Sequence, residues 1–272
     1  MARQDSTVLR ALITVFYLVG AVFSVAGFYR PRRLISATVV TAVSWGLLTF
    51  YLIYLGMAAA ELPVTGFGTW LAVLVWIIAG MALMAVWVFG GQYRALSGFL
   101  LPVGAVFWLA DLGVADRVQR MPLSGWLPLH IVAATLAVVA LLLAAIFGLM
   151  YTEKERELRK KSVEVFYYRL PALQEMDRWS SRLAGLGLGL WLVALAAGAL
   201  SARQVARPPM DPLAAGWSLF TAVMYGFYFM MRSAFGWRGR PAAVMLMVLF
   251  LVVLINFLTL NLHWIVASSF HF

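Results

Sequence analysis

The chain has no cysteine among its 272 residues. That absence excludes disulfides, thiolate metal ligands, iron–sulfur clusters and any dithiol relay carried by this chain. Histidine is almost as scarce: His130, His263 and His271 are the full set, so only a sparse metal-ligand site is possible. Charged residues make up 12% of the chain, about half the share of a soluble domain. No glycine-rich phosphate loop, nucleophile–base pair or paired carboxylate set is present, which argues against hydrolase or kinase chemistry of the soluble type. Catalysis by this chain is not expected. Internal repeats, low-complexity tracts and a second domain are also missing from the pattern.

What is abundant is apolar surface. Hydrophobic residues fill 64% of the chain and mean hydropathy is +0.90, so most of its solvent must be lipid. Eight apolar runs are long enough to cross a bilayer: Val8–Phe28, Leu34–Ala59, Thr69–Phe89, Leu96–Leu112, Pro128–Tyr151, Leu183–Leu200, Trp217–Met231 and Pro241–His263. Breaks are marked by Arg30-Pro31-Arg32-Arg33, Gly90-Gly91, Pro208-Pro209 and Gly239-Arg240-Pro241. Trp70, Trp126, Tyr151, Trp179, Trp237 and Trp264 stand near span ends as an aromatic belt. The runs are too long and too unalternating for barrel strands. The expected fold is all-α: a polytopic membrane helical bundle of about eight transmembrane helices, one integral membrane domain over residues 1–272. The first run resembles a signal peptide at its charged start, but its length and the span that follows at once favour a retained helix.

The formal net charge is +10. In a soluble protein this would suggest nucleic acid, but here the bases lie between apolar runs. Connections after spans 1, 3, 5 and 7 hold fifteen Lys and Arg, and the other connections with the termini hold six. By the positive-inside bias the odd connections face the cytoplasm and both termini face outward. The partner implied is the lipid bilayer, with no nucleic acid.

Residues 152–182 form the one sizeable polar connection, basic and cytoplasmic by this count. Thr152 and Glu155 have capping-box spacing, and the charge run that follows predicts a solvated helical extension of span 5. Arg169-Leu170-Pro171 interrupts it, after which Leu173, Met176 and Trp179 are spaced to lie along the membrane surface. The segment is a topological anchor or a docking surface for a cytoplasmic partner.

Ionisable groups near spans are functional candidates because burying them is costly. His130, His263, Asp111, Asp211 and the tail's His271 all fall on the outer side of this topology. His130 opens span 5 just after Trp126 and Pro128, and His263 closes span 8 after Asn256 and Asn261. Two imidazoles at one depth on neighbouring helices have the chemistry to ligate both axial positions of a haem iron. The alternative is two interfacial histidines, each with one hydrogen bond. Asp111 is a candidate to orient a histidine or to accept from a helix end. Asp211 and Trp217 mark either a turn or a ligand-facing loop. Gly185, Gly187 and Gly189 point to close helix packing.

From His130 onward the order of pieces is distinctive. An apolar span and a basic stretch lead to Arg169-Leu170-Pro171-Ala172-Leu173-Gln174-Glu175-Met176-Asp177. A glycine-rich span, Met210-Asp211-Pro212, Trp217-Ser218-Leu219, Tyr225, Gly236-Trp237-Arg238-Gly239-Arg240-Pro241-Ala242-Ala243 and Leu262-His263 follow. This half of the chain, about His130 to His263, resembles the CcsA/ResC-type cytochrome c assembly proteins, and within them the short HemX-like (YpjD-like) branch. The resemblance implies an inner-membrane, multi-pass protein that presents non-covalent b-type haem at the outer face. It implies His130 and His263 as axial ligands, with Trp126, Asp211 and Trp217 around the porphyrin. Residues 201–216 correspond to the family's tryptophan-rich "WWD" loop, in degenerate form: Ser201–Met210 contains no tryptophan. No histidine lies deep in a span, where full-length members place an inner haem site. Partners implied are apocytochrome c and a second cytochrome c assembly membrane protein. The HemX-like branch also suggests a membrane regulator of haem biosynthesis, touching glutamyl-tRNA reductase through residues 152–182. A transporter is disfavoured by the lack of mid-span polar groups, and a structural subunit of a membrane complex is the remaining alternative.

Overall fold

The computed structural model describes residues 2–59, 67–113, 125–160, 168–204 and 212–269. Among these residues the chain is helical, with no strand. The helices are α1 (Ala2–Tyr29), α2 (Pro31–Ala59), α3 (Phe67–Met84), α4 (Ala95–Gly113), α5 (Leu127–Arg159), α6 (Leu173–Gln204), α7 (Pro212–Ala234) and α8 (Arg240–Ser269). Each of the eight apolar runs falls inside one helix, the third also taking in a π-helical turn, Ala85–Phe89, after α3. Seven of the helices are long and apolar enough to cross a membrane. The exception is α7, whose apolar residues are diluted by Ser218, Thr221, two tyrosines and Arg232.

The expected punctuation is where the helices stop. Arg30 separates α1 from α2, and Pro31 opens α2, where its missing N–H costs nothing. Gly90 takes φ 59 after the π-helical turn, and Gly239 takes φ 69 just before α8. Both angles are open to glycine at no steric cost.

Two expectations for the basic connection fail. Thr152 does not start a helix: α5 runs unbroken through it to Arg159, and its hydroxyl donates to the Leu149 carbonyl one turn back. The capping-box pattern is local, and here the preceding turns were already helical. The extension itself forms as expected, with Arg159 on Glu155 at 2.8 Å and Arg156 near Glu153 at 3.6 Å. It is not solvated all round, because Lys154 and Glu157 are buried along one stripe. Leu173, Met176 and Trp179 do not form a surface helix either. They are the first turns of the continuous α6, and Met176 is fully buried.

The chain gathers into two compact units: Met1–Met121 with Lys161–Pro171, and Pro122–Lys160 with Ala172–Phe272. In the first, the core is built on Ile13, Tyr17, Leu48, Leu74, Ile78 and Trp108. Trp45 stacks on Trp76 with ring centroids 5.5 Å apart, and each indole N–H finds an acceptor, the Trp76 carbonyl and the Thr49 hydroxyl. Arg10 of α1 donates to the carboxylate of Asp111 on α4 at 3.2 Å.

The second unit is an antiparallel bundle of α5 to α8, and paired contacts fix each direction. His130 of α5 meets Ala194 and Gly198 of α6, while Leu141, further along, meets the earlier Gly187. Tyr151 meets Gly239 and the earlier Gly148 meets the later Ala243, so α8 also runs against α5. Trp191 bonds Ser218 and Asp177 bonds Arg232, setting α7 against α6. Helices in lipid gain little from hydrophobic transfer and associate by close van der Waals approach over small residues. At Gly148 a Cβ would lie 2.9 Å from the Ala243 carbonyl oxygen, and at Gly187 it would strike Leu141. Of the three glycines expected to serve packing, Gly187 is tightly packed, Gly185 sits at ordinary distance from Phe229, and Gly189 has nothing within 4 Å.

Candidate functional site

His130 enters on the first turn of α5. Trp126 caps that helix from outside, its carbonyl accepting the His130 backbone N–H at 3.0 Å, and Pro128 occupies the first turn where its missing N–H is harmless. Trp126 and His130 therefore share one turn, and Trp126 remains 42% exposed. The imidazole of His130 lies on α6, Nδ1 2.7 Å from the Ala194 carbonyl oxygen. It fits because residue 198 has no side chain: a Cβ there would stand 2.9 Å from Nδ1 and 3.1 Å from Cε1.

That contact selects a tautomer. A carbonyl oxygen can only accept, so Nδ1 carries the proton and donates. In the neutral ring Nε2 then keeps its lone pair, the form of histidine that binds a metal, oriented by a backbone carbonyl behind it. The ring is half-buried rather than sealed in the core.

Below this seat a polar layer crosses the unit. The Trp191 indole, one turn before Ala194, donates to the Ser218 carbonyl at 3.0 Å, and Asn256 Nδ2 donates to the Ser218 hydroxyl at 3.4 Å. Trp217, next to Ser218, packs edge-on against Phe220 with centroids 5.8 Å apart. This brings Trp217 onto the helix beside the one that seats His130.

His263 lies on the α8 backbone, and its side chain is outside the described residues, as are Asp211, His271 and residues 205–210 of the loop. The antiparallel frame nonetheless sets the depth of residue 263. From the Gly148–Ala243 contact, His130 is eighteen residues up α5 and position 263 is twenty residues along α8. At 1.5 Å per residue these are about 27 and 30 Å in the same direction.

The partner found for Asp111 is Arg10 rather than a histidine. Its carboxylate is held by Arg10, with the side chain 5% exposed. The correction has a plain cause: an opposite charge within reach on α1 outcompetes a neutral ring as partner for a carboxylate. The residues that reasoning from the chain overlooked are Ala194, through its carbonyl, and Gly198. The signal was faint: one glycine in an Ala-Ala-Gly-Ala run of α6, a few turns after a denser set of glycines.

Residues 35–266 match the family described as cytochrome C assembly protein. Among the relatives, three proteins named cytochrome c biogenesis protein CcsA illustrate the range. That of Prochlorococcus marinus (strain MIT 9215) is 25% identical over 94% of this chain and 93% of its own length. That of Trieres chinensis is 22% identical over 93% and 91%. That of Citrus sinensis is 29% identical over a shorter stretch, 38% of this chain and 33% of its own. No solved structure matches. The kinship therefore begins in α2, well before the stretch from about His130 in which the residues alone carried it. With its match running from residue 35 to residue 266, the chain belongs to the cytochrome c assembly protein family.

Proposed function

We propose that this multi-pass membrane protein handles haem during cytochrome c assembly, presenting b-type, non-covalently held haem at the outer face of the cell's inner membrane. The observation that carries the reading is the seat of His130, with Nδ1 tied to the Ala194 carbonyl at 2.7 Å and Nε2 therefore the ring nitrogen left to face a metal. His263 is the second axial ligand in this reading, and the matching depths of residues 130 and 263 support the pairing. Bound haem would supply an iron with two axial positions and vinyl groups able to form thioethers. The chain's own work is to hold and orient. Ala194 and Gly198 fix the ring plane of His130, while Trp126 on the same turn and Trp217 on the neighbouring α7 would offer flat apolar surface to the porphyrin, with Asp211 at the loop. Having no cysteine, the chain leaves thioether chemistry to the thiols of an apocytochrome c, and a second assembly membrane protein would complete the site.

The test is spectroscopic. Protein purified in mild detergent is expected to show a Soret band and a pyridine haemochrome, or to acquire both on adding haem. His130→Ala and His263→Ala should each weaken the band by at least about tenfold in haem affinity, the usual scale for loss of a metal ligand or its support. Protein that ignores added haem, with both variants indistinguishable from wild type, sinks the reading.

The regulator reading has less to stand on. In the described part of residues 152–182, Lys154 is buried, and Arg156 and Arg159 already pair with glutamates of their own helix. The free charge of that segment stands instead at Lys160, Arg178 and Arg182, all exposed.

A further inference from the structure

At the opposite end of the second unit from His130, the turn between α7 and α8 is held by one carboxylate. Asp177 of α6 receives Arg232 through two bonds, 3.0 and 2.6 Å, and the Gly239 backbone N–H at 3.1 Å. Arg232 also donates to the Trp237 carbonyl at 3.5 Å, and Gly236 and Gly239 bend the chain with φ 65 and 69. The result is a fixed turn whose Trp237 and Arg238 face solvent, as does Arg240 at the start of α8. Beside Asp177 on α6 stand exposed Arg178, Trp179 and Arg182, with the Arg182 guanidinium 5.9 Å from the Trp179 ring centroid.

Two features distinguish this surface. Its central carboxylate is bonded to Arg232 and also lies in the field of Arg238, and among the described residues none of Arg178, Arg182, Arg238 and Arg240 makes an ion pair with a carboxylate. It also lies at the end of a candidate membrane span, because that of α8 starts at Arg240. Four guanidinium groups without an ion-paired carboxylate and two exposed indoles at the end of a membrane span match a phosphate with acyl chains behind it. Guanidinium forks grip phosphate oxygens, and indoles rest at headgroup level.

We propose that the α7–α8 turn and the start of α6 form a binding site for the headgroup of an anionic phospholipid, preorganised by Asp177. Free phosphate has the same oxygens but no acyl chain, and it would gain nothing from the indoles or from the depth of the site. An acidic protein segment would not need the membrane edge.

The test counts lipid on the intact purified protein by native mass spectrometry while phosphatidylglycerol or phosphatidylcholine is titrated in. Wild type is expected to retain phosphatidylglycerol in preference to phosphatidylcholine, and millimolar inorganic phosphate should not displace it. Arg238→Gln with Arg240→Gln should weaken retention by about fivefold per charge removed. Arg32→Gln with Arg33→Gln, which removes the same charge elsewhere, should leave it unchanged. Asp177→Asn gives an opposite sign to the two explanations. It makes the protein more positive, so diffuse attraction predicts tighter binding, whereas loss of a preorganised turn predicts weaker binding. Equal losses in both arginine pairs, tighter binding in Asp177→Asn, displacement by phosphate, or capture of an acidic protein without lipid preference would each overturn the proposal. A melting temperature close to wild type in the arginine pair shows that folding is not the cause.

Discussion

The histidine seat is a matter of a few ångströms. Gly198→Ala adds one methyl 2.9 Å from His130 Nδ1, so the ring must rotate and give up its 2.7 Å bond to Ala194. If haem binding depends on that orientation, the variant should lose a large part of its Soret absorbance although both histidines remain. A Gly198→Ala protein with wild-type haem affinity would separate ring orientation from binding. His130 was legible as a candidate because a lone histidine at an apolar span's edge stands out in sequence. Its tautomer was not legible, since it depends on a carbonyl 64 residues away. The same limit hid the Asp177–Arg232 pair, whose members are 55 residues apart. It also gave Asp111 an expected partner other than Arg10.

At the scale of helices, the glycines divide into those that hold contacts and those that do not. Gly148→Leu would drive a side chain into the backbone of Ala243, and backbone cannot swing aside as a side chain can. A loss of about 1–3 kcal/mol is expected from such overpacking, read as a lower melting temperature in detergent. Gly189→Ala meets nothing within 4 Å, and better helix propensity should leave stability unchanged or raised by up to about 1 kcal/mol. The spans themselves were readable because apolar length alone specifies a membrane helix. The ends of helices outside the bilayer were not. Thr152 carried a start signal inside a helix already under way, and Leu173–Trp179 looked like an interfacial piece when it was the foot of α6. In both places a local pattern competed with the continuity of a long helix, and continuity won.

For the whole molecule, the testable quantity is sidedness. The absence of cysteine makes the natural chain its own blank background for thiol labelling. With a membrane-impermeant maleimide, Arg203→Cys should label in cells whose membrane is intact. Lys160→Cys should label only after that membrane is opened. The reverse pattern would turn the distribution of bases around and carry His130 to the cytoplasmic side.

The length of α5 has a mechanical consequence. Thirty-three residues make a rod about 50 Å long, roughly 20 Å more than a bilayer core is thick. His130 sits at one end of this rod and the charged stripe of Glu153 to Arg159 at the other, with no break between them. A helix turns as a unit. A rotation of one residue position, about 100°, imposed on the polar end would swing His130 away from Ala194 at the far side of the membrane. Position on one side and grip on the other are therefore a single degree of freedom, and the packing at Gly148 and Gly187 is what holds it still.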